Sequence, residues 1–293
     1  MRLLIDTDTA SDDAVALLLA LRTPGVDVEA ITVVSGNVPV AQGVQNALYT
    51  VELAGADVPV YAGSGGTKKH GTNVHGEDGM GDIGLPVHGR APADGDAVDA
   101  LERAVHDHPN ELTLVTLGPL TNVARLLERG VAPLLREVVV MGGTSDDVGN
   151  VAPKAEYNVW ADTEAAATVF ASGARITMVG WDVSRKFAVF TPADQEELRA
   201  LGPLGAFAVD IQRTLIEFCR TKTKLDGFDL PDPIAMAVAL DRRVATHTTR
   251  ARIEVDRETS QTHLRYDGEP QCDVVVEASR ERFVALLRDA LRG

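Results

Sequence analysis

Four carboxylates lie within eight residues near the start of the chain. Asp6, Asp8, Asp12 and Asp13 stand between two apolar stretches. Helix capping and the helix dipole account for one or two of these acids, with Ser11 as the expected N-cap. They do not account for four, because like charges repel and burial of a carboxylate costs free energy. A hard divalent cation with several oxygen ligands removes that cost, so the cluster predicts a calcium or magnesium site.

Two later segments are candidates to complete such a site. Asp232 stands between two prolines at the start of an apolar helical pattern, where by itself it is an ordinary N-cap. The tight turn from Gly118 to Asn122 follows an apolar strand pattern, and its free backbone carbonyls are candidate metal ligands. Both segments therefore offer oxygen ligands, and neither predicts a metal on its own.

A third polar segment follows two adjacent glycines in the middle of the chain. Asn150, Glu156 and Asn158 carry amide and carboxylate groups, which bind the neutral hydroxyls of a sugar without requiring a charged ligand. A polar surface loop explains the same residues equally well. The chain contains no G-x-G-x-x-G or Walker sequence, so a glycine-rich loop for phosphates or dinucleotides is not supported.

Apolar runs and helical patterns alternate along the first part of the chain, which predicts βα units and an α/β fold. The predicted strands are residues 2–6, 28–35, 58–61, 112–117, 137–141 and 175–180, and the predicted helices are residues 12–22, 40–54, 97–107, 119–129 and 163–172. Strands that are apolar throughout indicate a mostly parallel, Rossmann-like central sheet flanked by helices on both faces. In such sheets ligands bind outside the C-terminal ends of the strands, where the candidate residues stand.

The pattern changes after residue 182. Helices are predicted for residues 192–201, 203–220, 232–240 and 280–291, and short strands for residues 251–256, 263–266 and 273–277. No internal repeat or linker interrupts the chain, so a single domain over residues 1–293 is expected. The aperiodic stretch 63–89 is long for a loop in a compact domain, and such loops are usually functional.

Composition excludes several classes of protein. The net charge of −15 argues against nucleic acid or an anionic membrane surface as a partner, because both would repel the chain. The longest apolar run, residues 14–21, is too short to span a bilayer, and no signal-peptide pattern is present, so a cytoplasmic location is expected. Cys219 and Cys272 show no metal-ligand spacing and are expected to be free buried thiols.

Together these segments resemble the inosine–uridine preferring nucleoside hydrolases. The resemblance starts with the acidic cluster before an apolar helix and continues in order through residues 118–122, 141–143, 150–158, 181–184 and 232–233. It covers nearly the whole chain. It implies hydrolysis of the N-glycosidic bond of ribonucleosides to free base and ribose, a bound Ca²⁺ ion, and a homodimer or homotetramer.

The resemblance also assigns roles residue by residue. Asp8 would be both general base and calcium ligand, with Asp13, Asp232 and the carbonyl of Leu117 as the other ligands. His75 matches the histidine beside the base and is a candidate catalytic residue. The substrate contacts would come from Asp12, Asn37, Met141, Asn150, Glu156, Tyr157 and Asn158.

Two positions depart from the family pattern. Thr9 and Ala10 replace a usual Pro-Gly pair, and both can form the turn. Pro231 stands where many relatives carry a histidine implicated in protonating the leaving base, and proline can donate no proton. Replacement donors are His75, Lys222, Lys224 and Asp229, and Phe228 or Trp160 are candidates to stack on the base. A contact of His75 with the base, without proton transfer, is an equally good interpretation.

Two other functions remain open on the sequence alone. Asp6 and Asp8 also fit the D-x-D-x-[TV] pattern of haloacid dehalogenase-type phosphatases, in which the first aspartate is the nucleophile. That interpretation leaves Asp12, Asp13 and residues 156–158 unexplained. The second alternative is a non-catalytic, calcium-dependent binder of nucleosides or ribose, which the proline at position 231 favours.

Overall fold

The structure is a computed structural model that describes residues 1–65, 73–86, 89–223 and 225–292. Its strands are β1 (Arg2–Thr7), β2 (Asp27–Val33), β3 (Val60–Ala62), β4 (Leu112–Thr116), β5 (Glu137–Met141), β6 (Ile176–Val179), β7 (Val189–Phe190), β8 (Phe228–Asp229), β9 (Ala245–Val255), β10 (Thr262–Arg265) and β11 (Cys272–Ala278). Its helices are α1 (Ser11–Arg22), α2 (Val40–Leu53), α3 (Ala97–Asp107), α4 (Thr121–Leu127), α5 (Tyr157–Ala161), α6 (Thr163–Ala171), α7 (Trp181–Phe187), α8 (Pro192–Arg199), α9 (Pro203–Asp210), α10 (Arg213–Phe218), α11 (Pro231–Leu240) and α12 (Arg280–Leu291).

A large central sheet organises the described residues. Its nine strands lie in the order β10-β9-β11-β6-β5-β4-β1-β2-β3, and every neighbouring pair from β11 to β3 is parallel. The strands β9 and β10 pair antiparallel at one edge. The strand order reverses between β1 and β4, which opens a crevice beyond their carboxyl ends. This confirms the predicted α/β fold with a mostly parallel sheet.

Helices cover both faces of the sheet, which explains why β1 is apolar from Leu3 to Ile5. Leu3 and Ile5 face one hydrophobic cluster with α1, whereas Leu4 faces a second cluster on the opposite side. Successive side chains of a strand point to opposite faces, so a strand covered on both sides is apolar at every position. Helix α1 packs against α2, α11 and α12, and its residues from Ser11 to Ala20 are all buried.

Local differences from the predicted elements occur where polar side chains turn inward. The predicted helix 203–220 is broken at Ile211 and Gln212, because the buried Gln212 side chain bonds to α1 instead of facing solvent. A π-helical turn then spans Cys219–Thr223. Ser11 is the first helical residue and not the N-cap; the Asp13 carboxylate accepts the free Ala10 N–H at 2.9 Å.

The segment after β5 was expected to be a loop throughout. Residues from Tyr157 onward instead form the short helix α5, with Glu156 as its N-cap. A small antiparallel sheet of β7 and β8, absent from the prediction, lies beside the main sheet. No helix in the described ranges is long and apolar enough to cross a membrane.

Candidate active site

A cavity of about 450 Å³ opens beyond the carboxyl ends of the central strands. Of the predicted site residues, its lining includes Asp12, Asn37, His75, Leu117, Met141, Asn150, Glu156, Tyr157, Asn158 and Asp232. Asp8 and Asp13 do not contribute to the lining, and each is only 1% exposed. The structure therefore brings together residues that are up to 220 positions apart in sequence, from Asp12 to Asp232.

Asp8 is held directly after β1 by backbone that approaches it closely. Its Oδ2 accepts hydrogen bonds from the Asn37 backbone N–H at 2.5 Å and from Asn37 Nδ2 at 3.0 Å. A Cβ atom at Gly36 or Gly118 would collide with the Asp8 carboxylate, so both positions require glycine. Asp8 Oδ1 is buried and has no hydrogen-bond partner among the described residues. One oxygen is thus fixed and the other is left for a ligand.

The first turns of α1 and α11 bring three further carboxylates together. Oxygen atoms of Asp12, Asp13 and Asp232 lie within 4.8 Å of one another. The two Asp13 oxygens accept from the Thr7 hydroxyl and the Ala10 backbone N–H. Asp12 Oδ1 and Asp232 Oδ1 are buried without a hydrogen-bond partner among the described residues.

The carboxylates of Asp8, Asp12, Asp13 and Asp232 are poorly compensated by the protein. Burial and their mutual repulsion raise the pKa of Asp8 and of Asp232 well above its usual value. Burial is also the largest cause that raises the pKa of Asp12 to about 7 and that of Asp13 to about 6. In the described part of the chain, no lysine or arginine forms an ion pair with any of the four.

Buried carboxylate oxygens without partners are the arrangement that a cation corrects. The donors available are carboxylate oxygens and a backbone carbonyl, which suit a hard divalent ion such as Ca²⁺ or Mg²⁺ and not a thiolate-seeking metal. Burial of an unpaired charge is otherwise costly. The residues present therefore fit a metal ion at this position.

Leu117 lies directly after β4 and lines the same cavity, and its backbone carbonyl accepts a hydrogen bond from Asn158. Asn158 Nδ2 donates to this carbonyl at 2.7 Å and to the Met141 carbonyl at 3.2 Å. Asn158 is placed there by Glu156, whose carboxylate caps α5 and accepts from the backbone N–H of Asn158 and of Gly143, both at 2.8 Å. Burial raises the pKa of Glu156 to about 7 against the lowering effect of these hydrogen bonds.

Asp6 is the member of the acidic cluster that takes no part in the group around Asp232. Its Oδ1 accepts from the Thr32 hydroxyl at 2.6 Å and from Asn122 Nδ2 at 2.9 Å. Asn122 in turn accepts the Ser64 backbone N–H at 2.9 Å. Asp6 thus joins β1 to β2 and to the first turn of α4, which is a structural role that the sequence pattern did not separate from the site.

The cavity wall also contains residues that sequence reasoning missed. Trp181 and Arg185 of α7 line it, and the Arg185 guanidinium lies over the Trp181 ring at 4.6 Å from its centroid. Asp146 holds Arg185 through two hydrogen bonds of 2.9 and 2.8 Å. Leu215 and Phe218 of α10 supply apolar surface at the same cavity. The segment at 181–184 was recognised as part of the family pattern, but nothing in the sequence indicated which of its side chains face the cavity.

The predicted replacements for the missing histidine separate into two groups. His75 and Asp229 line the cavity, as does Pro231, which stands at the position of the missing histidine. Asp229 Oδ2 accepts from Ser184 Oγ at 2.7 Å and from Trp181 Nε1 at 3.1 Å, and burial raises the pKa of Asp229.

Lys222, the other candidate among the described residues, does not line this cavity. Lys222 is exposed, and Lys224 lies outside the described residues. The expectation that Phe228 or Trp160 stacks on a base is not supported. Phe228 is fully buried against Phe190 at 5.9 Å between ring centroids, and Trp160 packs against Tyr157 at 6.2 Å.

His75 is buried beside Asp12, with its Nδ1 at 3.6 Å from Asp12 Oδ1. Ser11 Oγ is closer, at 2.7 Å from the same nitrogen. Burial lowers the pKa of His75 to about 4, which outweighs the opposite effect of the neighbouring carboxylates, so the ring is neutral at pH 7.

Comparisons with known proteins agree with this geometry. The family model of the inosine-uridine preferring nucleoside hydrolases matches residues 3–285. The chain is 34% identical to the pyrimidine-specific ribonucleoside hydrolase RihA of Salmonella arizonae over 309 aligned positions, covering 99% of this chain and 98% of that protein. It is 41% identical to uridine nucleosidase 1 of Arabidopsis thaliana over 191 positions, 62% of this chain but only 57% of that relative.

A solved structure extends the likeness to the fold. The purine-preferring ribonucleoside hydrolase of Gardnerella vaginalis superposes with a TM-score of 0.92 at 32% identity, covering 99% of this chain and 98% of that one. The family match, the sequence relatives and the fold agree over almost the whole chain. This chain therefore belongs to the inosine–uridine preferring nucleoside hydrolase family and is a hydrolase of N-glycosidic bonds.

Proposed function

We propose that this enzyme hydrolyses ribonucleosides to free base and ribose with Asp8 as general base and a resident Ca²⁺ ion. Asp8, Asp13, Asp232 and the Leu117 carbonyl would hold the ion. The observation that carries the proposal is that the carboxylates of Asp12, Asp13 and Asp232 converge within 4.8 Å, and that buried oxygens of Asp8, Asp12 and Asp232 have no hydrogen-bond partner among the described residues. Calcium is favoured over magnesium because Ca²⁺ accepts many protein oxygens in flexible geometry, whereas Mg²⁺ usually keeps several waters.

Asp8 is suited to take a proton from the attacking water. Asn37 fixes Oδ2 through two hydrogen bonds, so Oδ1 is the atom left to accept the proton. Burial and repulsion from the neighbouring carboxylates raise the pKa of Asp8, and a bound cation would lower it again, so that Asp8 is ionised and able to accept a proton. A hard divalent ion, when bound, orients water and lowers its pKa.

The sugar would be held by Asp12, Asn37 and Asn158 around the same point. Asp12 Oδ1 is buried and free of hydrogen bonds to the described residues, which suits it to accept from a ribose hydroxyl. The Asn158 amide nitrogen is engaged by two carbonyls, which leaves its oxygen to accept from a second hydroxyl. Cleavage at C1′ develops positive charge on the ribose, and nearby carboxylates stabilise that charge in a water-excluded site.

The remaining predicted contacts line the wall that begins after β5. We assign Met141, Asn150, Glu156 and Tyr157 to the sugar and its 5′ end, on the support that all four line the cavity. Glu156 would contact the substrate, and its carboxylate also caps α5 by accepting the Asn158 backbone N–H. Its main contribution is therefore to place Asn158. The base would occupy the end near Trp181. The named relatives differ in base preference, so purine and pyrimidine nucleosides are both candidate substrates.

The test is a panel of purine and pyrimidine ribonucleosides, with chromatographic detection of free base. We expect release of base from at least one nucleoside, loss of that activity after chelation, and recovery with Ca²⁺. The ion binds the folded state, so it should raise the free energy of unfolding by roughly 2.7 kcal/mol at a hundredfold excess over Kd. The melting temperature should rise accordingly. Full activity in a sample shown to be metal-free would overturn the metal proposal, and binding without base release would overturn catalysis.

A further inference from the structure

A buried hydrogen-bonded chain of three residues lies behind the cavity wall. Ser11 at the start of α1, Gln212 between α9 and α10, and His75 are connected side chain to side chain, and Ser11 and Gln212 are 0% exposed. Ser11 Oγ is 2.7 Å from His75 Nδ1 and 2.7 Å from Gln212 Oε1, and Gln212 Nε2 is 2.9 Å from the Ser11 carbonyl oxygen. Ser11 and Gln212 are 201 residues apart, so the sequence gives no indication that these side chains are hydrogen-bonded.

The chain has one consistent direction of donation. The Ser11 carbonyl can only accept, so the Gln212 atom that faces it is the amide nitrogen, and Gln212 Oε1 is the atom that faces Ser11 Oγ. Oε1 can only accept, so it takes the single hydroxyl hydrogen of Ser11. Ser11 Oγ is then left as an acceptor, and the hydrogen between Ser11 and His75 belongs to Nδ1 of the imidazole.

The other neighbour of Nδ1 supports the same assignment. Asp12 Oδ1 lies 3.6 Å from Nδ1 and can only accept while it is ionised. No charged or polar side chain in the described ranges is hydrogen-bonded to Nε2, and His75 lines the cavity. A neutral imidazole carries one hydrogen, so a hydrogen on Nδ1 leaves a lone pair on Nε2.

We propose that Ser11 and Gln212 are positioning residues that hold His75 in its Nδ1–H tautomer and thereby present Nε2 to the nucleoside as a hydrogen-bond acceptor. His75 then binds an N–H or O–H group of the substrate and is not the donor of a proton to the leaving base. This role in substrate binding rests on the proposed function. The tautomer itself does not, because it follows from hydrogen bonds within the protein.

The first experiment reads the tautomer without any substrate. ¹⁵N-histidine-labelled, calcium-loaded protein is examined by NMR, with the His75 signals identified by their absence in His75→Gln. We expect a protonated Nδ1 and an unprotonated Nε2 in the wild type at pH 7. A hydrogen on Nε2 in the wild type would overturn the proposal, whatever the activity of the sample.

Variants then test whether Ser11 and Gln212 cause that state. Ser11→Ala and Gln212→Leu should shift the hydrogen to Nε2 in part or in full, and Ser11→Thr, which keeps the hydroxyl, should restore the wild-type signals. The matched control is Thr163→Val, which removes another buried hydroxyl bond of 2.7 Å, to Ser260, without touching His75. An unchanged tautomer in folded Ser11→Ala would show that Ser11 does not determine it.

Kinetics separate this role from a merely structural one. On the nucleoside that the enzyme cleaves best, loss of one hydrogen bond in Ser11→Ala should raise KM about fivefold to tenfold with little change in kcat. Thr163→Val should change neither. A fall in kcat alone would contradict the acceptor role. Absence of any nucleosidase activity alongside the expected wild-type tautomer would instead contradict the proposed function and leave the tautomer standing.

Discussion

Two groups of residues at the cavity, which we call the inner end and the outer end, are built in different ways. At the inner end, Asp8, Asp12, Asp13 and Asp232 are buried together and their charges are not balanced by the protein. At the outer end, charged groups are paired within the wall: Arg185 with Asp146, and Asp229 with Trp181 and Ser184. The inner end therefore requires a cation from outside the chain, whereas the charged groups of the outer end have partners within the protein.

If the proposed function holds, this difference would separate the residues of the reaction from those that select the base. A site whose charges need a cation and a sugar is constrained at every residue, because each carboxylate affects the others. In a wall of paired charges and aromatic rings, by contrast, one residue can be substituted with little effect on the others. The relatives fit that division, since one is named as pyrimidine-specific and another as purine-preferring although both match this chain over nearly its whole length.

The largest expected effect comes from Asp8→Asn at the inner end. The asparagine oxygen can still accept the two hydrogen bonds that Asn37 donates to Oδ2, but the amide cannot act as a base. We therefore expect kcat to fall by about 10²–10⁴-fold while KM changes little. Steady-state kinetics on the best nucleoside measure both parameters. Turnover near the wild-type rate would mean that Asp8 is not the base.

Asp6→Asn is the control for that substitution. Asp6 is a buried acid two positions earlier whose bonded oxygen faces Thr32 and Asn122 and which does not line the cavity. We expect it to reduce stability and to leave kcat within a few-fold of wild type. If Asp6→Asn lost as much kcat as Asp8→Asn, the two residues would not have separate functions.

A second prediction concerns the outer end, where Pro231 lines the cavity and can donate no proton. If no residue replaces the missing acid, cleavage should depend strongly on how well the base leaves. We expect p-nitrophenyl riboside to be cleaved on the order of 10²-fold faster than inosine or uridine, within the range that general acid catalysis supplies. Comparable kcat values on activated and natural substrates would show that a competent acid is present.

The sequence predicted the inner end better than the outer end for a physical reason. The strands β1, β4 and β5 are buried on both faces and mostly apolar, so the sequence showed where they end, and the polar residues near their carboxyl ends were natural site candidates. Asp232 was ambiguous, because a helix N-cap and a metal ligand have the same local pattern. Folding resolved it by packing α11 against α1.

The outer end was not predictable in the same way because nothing local marks its residues. Trp181 and Arg185 lie about one turn apart on α7, but that they face the cavity depends on how α7 packs against β11, α11 and the short strand β7. Gln212 reads as one polar position in a long helix, but it interrupts that helix and turns inward to Ser11. Contacts between distant residues decide these roles, and a sequence pattern does not report them.

A third prediction tests whether the negative charge of the cavity excludes anionic substrates. Glu156 lines the wall that we assign to the 5′ end, and the arginine of the cavity is already held by Asp146. At pH 8, above the pKa of Glu156 of about 7, a 5′-phosphate would meet an ionised carboxylate and no unpaired cation within the described lining, which disfavours binding by like-charge repulsion. We expect kcat/KM to be at least about tenfold lower for a nucleoside 5′-monophosphate than for the nucleoside, a difference of about 1.4 kcal/mol. Equal efficiency on both would contradict the assignment of Glu156.

The smallest effect is expected for Asp229→Asn. Asp229 Oδ2 already accepts from Trp181 Nε1 and Ser184 Oγ, and an asparagine oxygen can accept from the same two donors. If Asp229 serves to fix Trp181 in the wall, Asp229→Asn should lower kcat by less than about tenfold, and by the same factor on inosine and on p-nitrophenyl riboside. Trp181→Phe, which removes the same hydrogen bond from the other side, should behave alike. If Asp229 is instead the missing acid, its loss would reduce turnover of inosine far more than turnover of the activated riboside, because an activated leaving group needs no proton. That unequal loss would make the outer end part of the chemistry and would remove the division between the two ends of the cavity.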